Sequence, residues 1–255
     1  MNPLVINLPR SLDRLSTVES RLKPYFDSYQ LIVGIDGSML RQDDYREEVA
    51  KELNISSDKL KLSYFMDRKN FQSYTRDEDK ILNKVGCYLS HLKAIKFAVD
   101  NNLTNVLILE DDFSMNENIL KVDLNDSPEL ITYLGGAVKP PIPPVINGYF
   151  KLDNYDLYCT FGYLIKNKSS MVYILSLLYS GFNEGVGRIK LKEGFNPLED
   201  RLKLMAIDLF YRKFLFQKCI CIYPAAISHE YLYKSLIDYK KKYSYGLKCL
   251  SNVTN

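Results

Sequence analysis

Glu110, Asp111 and Asp112 close the run Val106-Leu107-Ile108-Leu109-Glu110-Asp111-Asp112-Phe113. The apolar part reads as a short buried strand. Uncompensated buried charge is costly, so the acids are expected at the strand's end, in a cleft. Hard divalent cations take oxygen ligands, and Mg2+ is often held by one or two carboxylates plus substrate phosphates. Acids at the carboxyl end of a strand in an α/β sheet are therefore well placed for a metal–nucleotide complex. A solvated acidic turn after an ordinary strand has the same sequence, and the triplet alone does not separate the two readings.

Other chemistries find less support. The chain has no GxGxxG for a dinucleotide fold and no GxxxxGK[ST] for a P-loop. Its two histidines are His91 and His229, and no GxSxG elbow accompanies them, so a serine–histidine hydrolase is a poor fit. Over 255 residues the composition is globular, 46% hydrophobic and 25% charged, and the net charge of +3 leaves no nucleic-acid footprint. The cluster Lys240-Lys241-Lys242 reads as a solvated helix face. No stretch approaches the roughly 20 apolar residues of a spanning helix. The amino terminus lacks the basic and long apolar regions of a signal peptide. Cys87, Cys159, Cys219, Cys221 and Cys249 contain no CxxC pair and read as reduced, mostly buried thiols of a cytoplasmic protein.

The elements that must position the acids alternate. Leu4 to Leu8 reads as a first buried strand. Ser11 is placed as an N-cap, with Leu12, Leu15, Val18 and Leu22 at helical spacing up to Pro24. Gln30 to Val33 is a second strand, closed by the turn signal Asp36-Gly37. Residues 38–78 are polar and irregular apart from a short helix near Asp44–Leu53. A long helix follows from about Asp79 to Val99, ended by Asn101-Asn102. This order favours a doubly wound α/β sheet. Further on, Pro140–Pro144 reads as a stiff loop, Tyr158–Ile165 as a strand, and Ser169–Tyr179 as a helix. The segment 181–196 reads as a mobile glycine-bearing loop, Pro197–Phe216 as a helix, and Cys219–Tyr223 as a last strand. No repeat and no second domain is evident.

Four segments, in order, resemble glycosyltransferase family 25, which holds lipopolysaccharide-type and procollagen galactosyltransferases. They are Val5-Ile6-Asn7-Leu8-Pro9-Arg10-Ser11-Leu12-Asp13-Arg14-Leu15, Val33-Gly34-Ile35-Asp36-Gly37, Gly86-Cys87-Tyr88-Leu89-Ser90-His91-Leu92-Lys93-Ala94, and Leu107-Ile108-Leu109-Glu110-Asp111-Asp112. The second half resembles the family only loosely, at Thr160–Ile165. The resemblance implies a single GT-A type, Rossmann-like nucleotide-sugar-binding domain over 1–255, with a mostly parallel central sheet flanked by helices. Residues 1–115 would be its nucleotide-sugar and metal half, and 116–255 its acceptor half and tail.

It further implies an inverting transfer of galactose or glucose from a UDP-sugar, with Mn2+ or Mg2+, to a hydroxyl of a glycan or glycoprotein. By resemblance Asp112 is the direct metal ligand, Glu110 or Asp111 binds the metal's water or the ribose, and Asp111 and His229 can complete the metal shell. Leu8, Pro9, Arg14, Asp36, Ser90 and His91 are the expected nucleotide-sugar contacts. The base is sought among Asp208, Asp200 and Glu199, with Asp208 first because it interrupts an apolar helical stretch. Glu199 and Asp200 also fit as first-turn acids of a helix. Two other readings share the acidic strand end: a metal-dependent sugar-nucleotide hydrolase or nucleotidyltransferase, and a catalytically silent nucleotide-sugar or glycan-binding domain. The aromatic-rich tail could pack a homodimer as readily as the core.

Overall fold

The acidic run ends a strand near the middle of a seven-stranded sheet. The computed structural model describes residues 1–67, 71–72, 75–125, 129–138, 144–152, 157–182, 204–215, 218–229 and 248–249. In chain order its elements begin β1 (Asn2–Asn7), α1 (Leu12–Leu22), β2 (Gln30–Val33), α2 (Asp43–Leu53), α3 (Leu62–Met66), β3 (Phe71–Gln72), α4 (Glu78–Asp100), β4 (Val106–Glu110) and β5 (Phe113–Met115). There follow β6 (Ile131–Tyr133), β7 (Ala137–Val138), β8 (Tyr149–Lys151), β9 (Leu157–Tyr158), β10 (Gly162–Ile165) and α5 (Lys168–Phe182). The last are β11 (Leu204–Met205), α6 (Ile207–Phe214), β12 (Cys219–Ile222), β13 (Ile227–His229) and β14 (Lys248–Cys249).

The large sheet has the order β2-β1-β4-β10-β6-β12-β8. Strands β2, β1, β4, β6 and β12 run one way, and β10 and β8 run against them. The expected mostly parallel α/β sheet is thus present, with two strands reversed. Successive side chains of a strand point to opposite faces, and β4 sorts accordingly. Val106 and Ile108 join Leu4 and Ile6 in a core covered by α2, α4, α5 and α6. Leu107 and Leu109 join Val5 in a second core covered by α1. A strand buried on both faces needs a continuous apolar sequence, which is why its acids come only at the end.

Helix α1 starts and stops where the spacing places it, but its inner face is Arg14, Val18 and Leu22. Leu12 is 66% exposed. Ser11 is the N-cap residue but makes no side-chain cap hydrogen bond. The stretch 38–66 is more regular than its polar sequence suggests, with short 3-10 turns at Gly37–Arg41 and Ser57–Leu60 beside α2 and α3. Helix α4 is capped by Asp77, whose carboxylate accepts the Lys80 N–H, and Glu78 and Asp79 complement its dipole. The expected strand Tyr158–Ile165 is broken at Cys159, whose φ is +79°. Of the expected helix Pro197–Phe216, residues 197–203 and 216 lie outside the described residues; Leu204 and Met205 pair as a parallel strand with Phe71 and Gln72, and the helix α6 spans Ile207–Phe214. Residues 140–143 of the proline-rich loop and 183–196 of the glycine-bearing segment lie outside the described residues. No helix among the described residues is long and apolar enough to cross a membrane.

Two glycines let α4 approach the turn after β2. A Cβ on Gly37 would lie 2.0 Å from the Leu82 carbonyl oxygen, and one on Gly86 would lie 2.6 Å from both Gly37 N and Ile35 O. The obstructing atoms are backbone, which cannot rotate away. Gly37→Ala is expected to lower unfolding stability by about 3 kcal/mol, the upper range for overpacking. Gly34→Ala, whose Cβ would meet nothing nearer than 3.2 Å, is expected to cost visibly less. Urea unfolding of both variants checks this.

Candidate functional site

A cleft opens at the carboxyl ends of β1, β2 and β4, lined by Ile6, Leu8, Arg10, Arg14, Ile35, Gly37, Asn83, Cys87, Ser90, His91, Glu110, Asp111 and Asp112. Its place follows from topology. The chain leaves β1 for β2 on one side and returns through α4 to β4 on the other. In open α/β sheets, ligands bind where the strand order reverses in this way.

The acidic turn is compensated from the first helix and strand. Asp111 and Asp112 are only 6% and 5% exposed. Arg14 donates to Asp111 at 2.8 Å and pairs with Asp112 at 3.3 Å. Asn7, at the end of β1, donates to Asp111 at 2.8 Å and to the Ser11 carbonyl at 3.1 Å. Two turns along α1, Arg21 donates to the carbonyls of Asp111 and Phe113 at 3.1 and 3.0 Å. Burial opposes the Arg14 charge, but its hydrogen bond to Asp111 and the charges of Asp112, Asp111 and Asp13 outweigh it, and its pKa rises. Burial likewise lifts Asp111 above the usual carboxylate value, against the hydrogen bond from Arg14 and with the Asp112 charge adding to the rise. The guanidinium is thus secured in its charged form, whereas the carboxylate is only partly compensated. An additional cation at the turn would complete the compensation, and these oxygen donors suit a hard divalent ion.

The opposite wall is α4, with labour divided by face. Gly86 and Ser90 hold the helix in place: Ser90 Oγ accepts the Ile35 N–H at 2.8 Å and donates to the Gly86 carbonyl at 2.7 Å. Cys87 and His91, one position further on, face the cleft. His91 Nδ1 lies 2.8 Å from the Tyr163 hydroxyl, which lies 3.0 Å from that of Tyr211. His91 Nε2 lies 3.4 Å from Glu110 Oε1, which accepts a short hydrogen bond from Thr160.

Of the residues singled out from sequence, Leu8, Arg14, Ser90, His91, Glu110, Asp111 and Asp112 line this one cleft. Pro9 follows Leu8 and is exposed. Asp36 caps the Gly37–Arg41 turn by accepting the Ser38 N–H at 2.9 Å and pairs with Arg10, which places it beside the cleft rather than in its lining. Residue 229 lies opposite Phe113 in the β13–β5 pair, so the chain returns next to Asp112. Asp208 does not line the cleft. It stands in the first turn of α6, its carboxylate accepts the Leu209 N–H, and it lies one helical turn before Tyr211. Asp200 and Glu199 lie outside the described residues. Sequence reading passed over Asn7, Arg10, Arg21, Asn83, Cys87 and Thr160. The seven-residue spacing of Arg14 and Arg21 puts them on one helix face, and Cys87 precedes His91 by four residues; both are signals of a shared target.

Among known families, the sequence model of glycosyltransferase family 25 (LPS biosynthesis protein) matches residues 1–180. A comparison with curated proteins finds no match.

Arg14→Met leaves the buried carboxylates without their guanidinium. It is expected to cost about 2–3 kcal/mol, somewhat below the loss for a fully enclosed pair, and Mn2+ is expected to restore part of the loss; thermal melts with and without the ion read both. Because the folded pKa of Asp111 is raised, its ionised form disfavours the metal-free fold once pH rises through that value. Protons and cations then compete, so cation affinity is expected to fall on acidification from a pH above the ordinary carboxylate value of 3.8. A pH series of Mn2+ titrations, with Asp111→Asn as the comparison, checks the sign.

Proposed function

The chain belongs to glycosyltransferase family 25 and is a glycosyltransferase. From that premise we propose that it is a GT-A type enzyme moving a hexose, galactose or glucose, from a UDP-sugar to a hydroxyl of a glycan or glycoprotein, with inversion and with Mn2+ or Mg2+. The observation that carries this reading is the buried Asp111–Asp112 pair at the switch-point cleft, with Arg14 beside both carboxylates. Membership of the family favours sugar transfer over nucleotidyl transfer or sugar-nucleotide hydrolysis, which the acidic strand end alone left open.

Asp112 and Asp111 would hold the cation, with His229 as a further ligand, and the ion when bound would neutralise the pyrophosphate and stabilise departing UDP. Arg14, already beside both aspartates, and Arg10 at the rim add positive charge where phosphates would lie. Leu8 and Pro9 offer backbone and apolar surface to the base, Asp36 lies on the ribose side, and Glu110 or Asp111 would reach the ribose or the ion's water. Ser90 positions α4, so that His91 faces the donor sugar. Inversion requires a carboxylate that takes the acceptor hydroxyl's proton on the face opposite UDP. Asp208 remains the first candidate, because α6 packs against α4 and carries Tyr211 into the His91–Tyr163 chain; Asp200 and Glu199 are the others.

The test is product analysis with UDP-galactose and UDP-glucose over a panel of saccharide acceptors, with and without Mn2+. A Mn2+-dependent transfer product is expected. Asp112→Ala should abolish Mn2+-dependent UDP binding and lower turnover by roughly 100-fold or more. Asp208→Asn should lower kcat by roughly 100-fold or more while leaving UDP binding intact. Free hexose or a nucleotidyl product in place of a glycoside would overturn the reading, as would UDP-sugar binding without turnover across the panel.

A further inference from the structure

Cys87 and His91 of α4 and Glu110 at the end of β4 bring a thiol, an imidazole nitrogen and a carboxylate oxygen within 4.8 Å of one another in the cleft. We propose that these three side chains form a second cation site, for a borderline-soft divalent ion of the Zn2+ type, distinct from the hard-cation site at Asp111 and Asp112. All three residues line the cleft, from which an ion would reach them.

Three observations carry the assignment. His91 is 1% exposed, yet its Nε2 has no hydrogen-bond partner among the described residues. The 3.4 Å separation of Nε2 from Glu110 Oε1 is long for an N–H···O hydrogen bond, whose usual length is about 2.9 Å. It matches the edge of a tetrahedron with bonds of about 2.0–2.1 Å, which is roughly 3.3 Å. The other ring nitrogen is held as metal-bound imidazoles are held, by a hydrogen-bonding partner that sets ring orientation. When the Tyr163 hydroxyl donates to Tyr211, His91 Nδ1–H donates to Tyr163, and Nε2 then presents its lone pair to the Glu110 carboxylate. Two acceptors facing one another call for a cation between them. Cys87 and His91 are one helical turn apart on the same face of α4, a spacing that lets both reach one ion. A thiolate and an imidazole select Zn2+ or Co2+ over Mg2+ and Mn2+, for which the neighbouring aspartates are the better donors. On binding, the Cys87 thiol gives up its proton to solvent.

The test is titration of the metal-stripped full chain with Co2+ alone, read by absorption. A thiolate-to-cobalt charge-transfer band with tetrahedral ligand-field bands is expected, at one ion per chain and displaced by Zn2+. Cys87→Ser should abolish the charge-transfer band while its far-ultraviolet circular dichroism stays that of the wild type. Tyr163→Phe, which removes the hydroxyl that orients His91 and also bonds Tyr211, should weaken binding about 10–100-fold. Asp112→Ala should keep the band, so that loss of donor binding and loss of this site are read separately. Absence of the band in the wild type at excess Co2+, or its persistence in Cys87→Ser, would overturn the proposal.

Discussion

A strand buried on both faces cannot end in three carboxylates unless something meets their charge, and the first 21 residues of the chain are arranged to do that. Asn7 ends β1 beside Asp111, Arg14 reaches both aspartates from the first turn of α1, and Arg21 takes the carbonyls of the turn itself. Each contact bridges about a hundred positions of sequence. Together they tie β1 and α1 to β4 and explain why α1 turns an arginine inward and leaves Leu12 in solvent. Burial raises the desolvation cost of the acids and also strengthens their attraction for any cation that arrives.

The opposite wall depends on the absence of two side chains. Gly37 and Gly86 let α4 touch the turn after β2, and Ser90 fastens that contact from the same helix face. The neighbouring face then carries Cys87 and His91 over the end of β4. The tyrosines behind His91 are fully buried, and burial holds the hydroxyl protons of Tyr163 and Tyr211 on. They therefore act as neutral hydrogen-bonding groups that set the imidazole ring. Oxygen donors on one side and sulfur and nitrogen on the other give the cleft two kinds of ligand chemistry.

Much of this was legible residue by residue. Apolar runs marked β1, β2 and β4, helical spacing marked α1 and α4, and the acids had to lie at a strand's end. Where periodicity failed, tertiary contacts had overridden it. Leu204 and Met205 extend an apolar helical pattern but pair with Phe71 and Gln72, whose partner strand gives no local signal. Cys87 read as one more buried thiol, because the carboxylate that gives it meaning lies on another element. Burial does raise the Cys219 and Cys221 thiols, which are enclosed in the sheet core; Cys87 is only half-buried, at the cleft.

Sequence by itself determined the α/β class, the family resemblance and the position of the acidic turn, since these rest on local pattern: apolar runs, spacing, and short motifs in a fixed order. Tertiary structure alone decided which groups meet that turn. Arginine on a helix reads equally as a surface pair or a buried clamp, and only the crossing of α1 against β4 makes Arg14 and Arg21 the latter. Likewise Cys87, His91 and Glu110 become one cluster only because the return of the chain through α4 brings a helix face over a strand end. Long-range proximity of this kind leaves no mark in a local pattern.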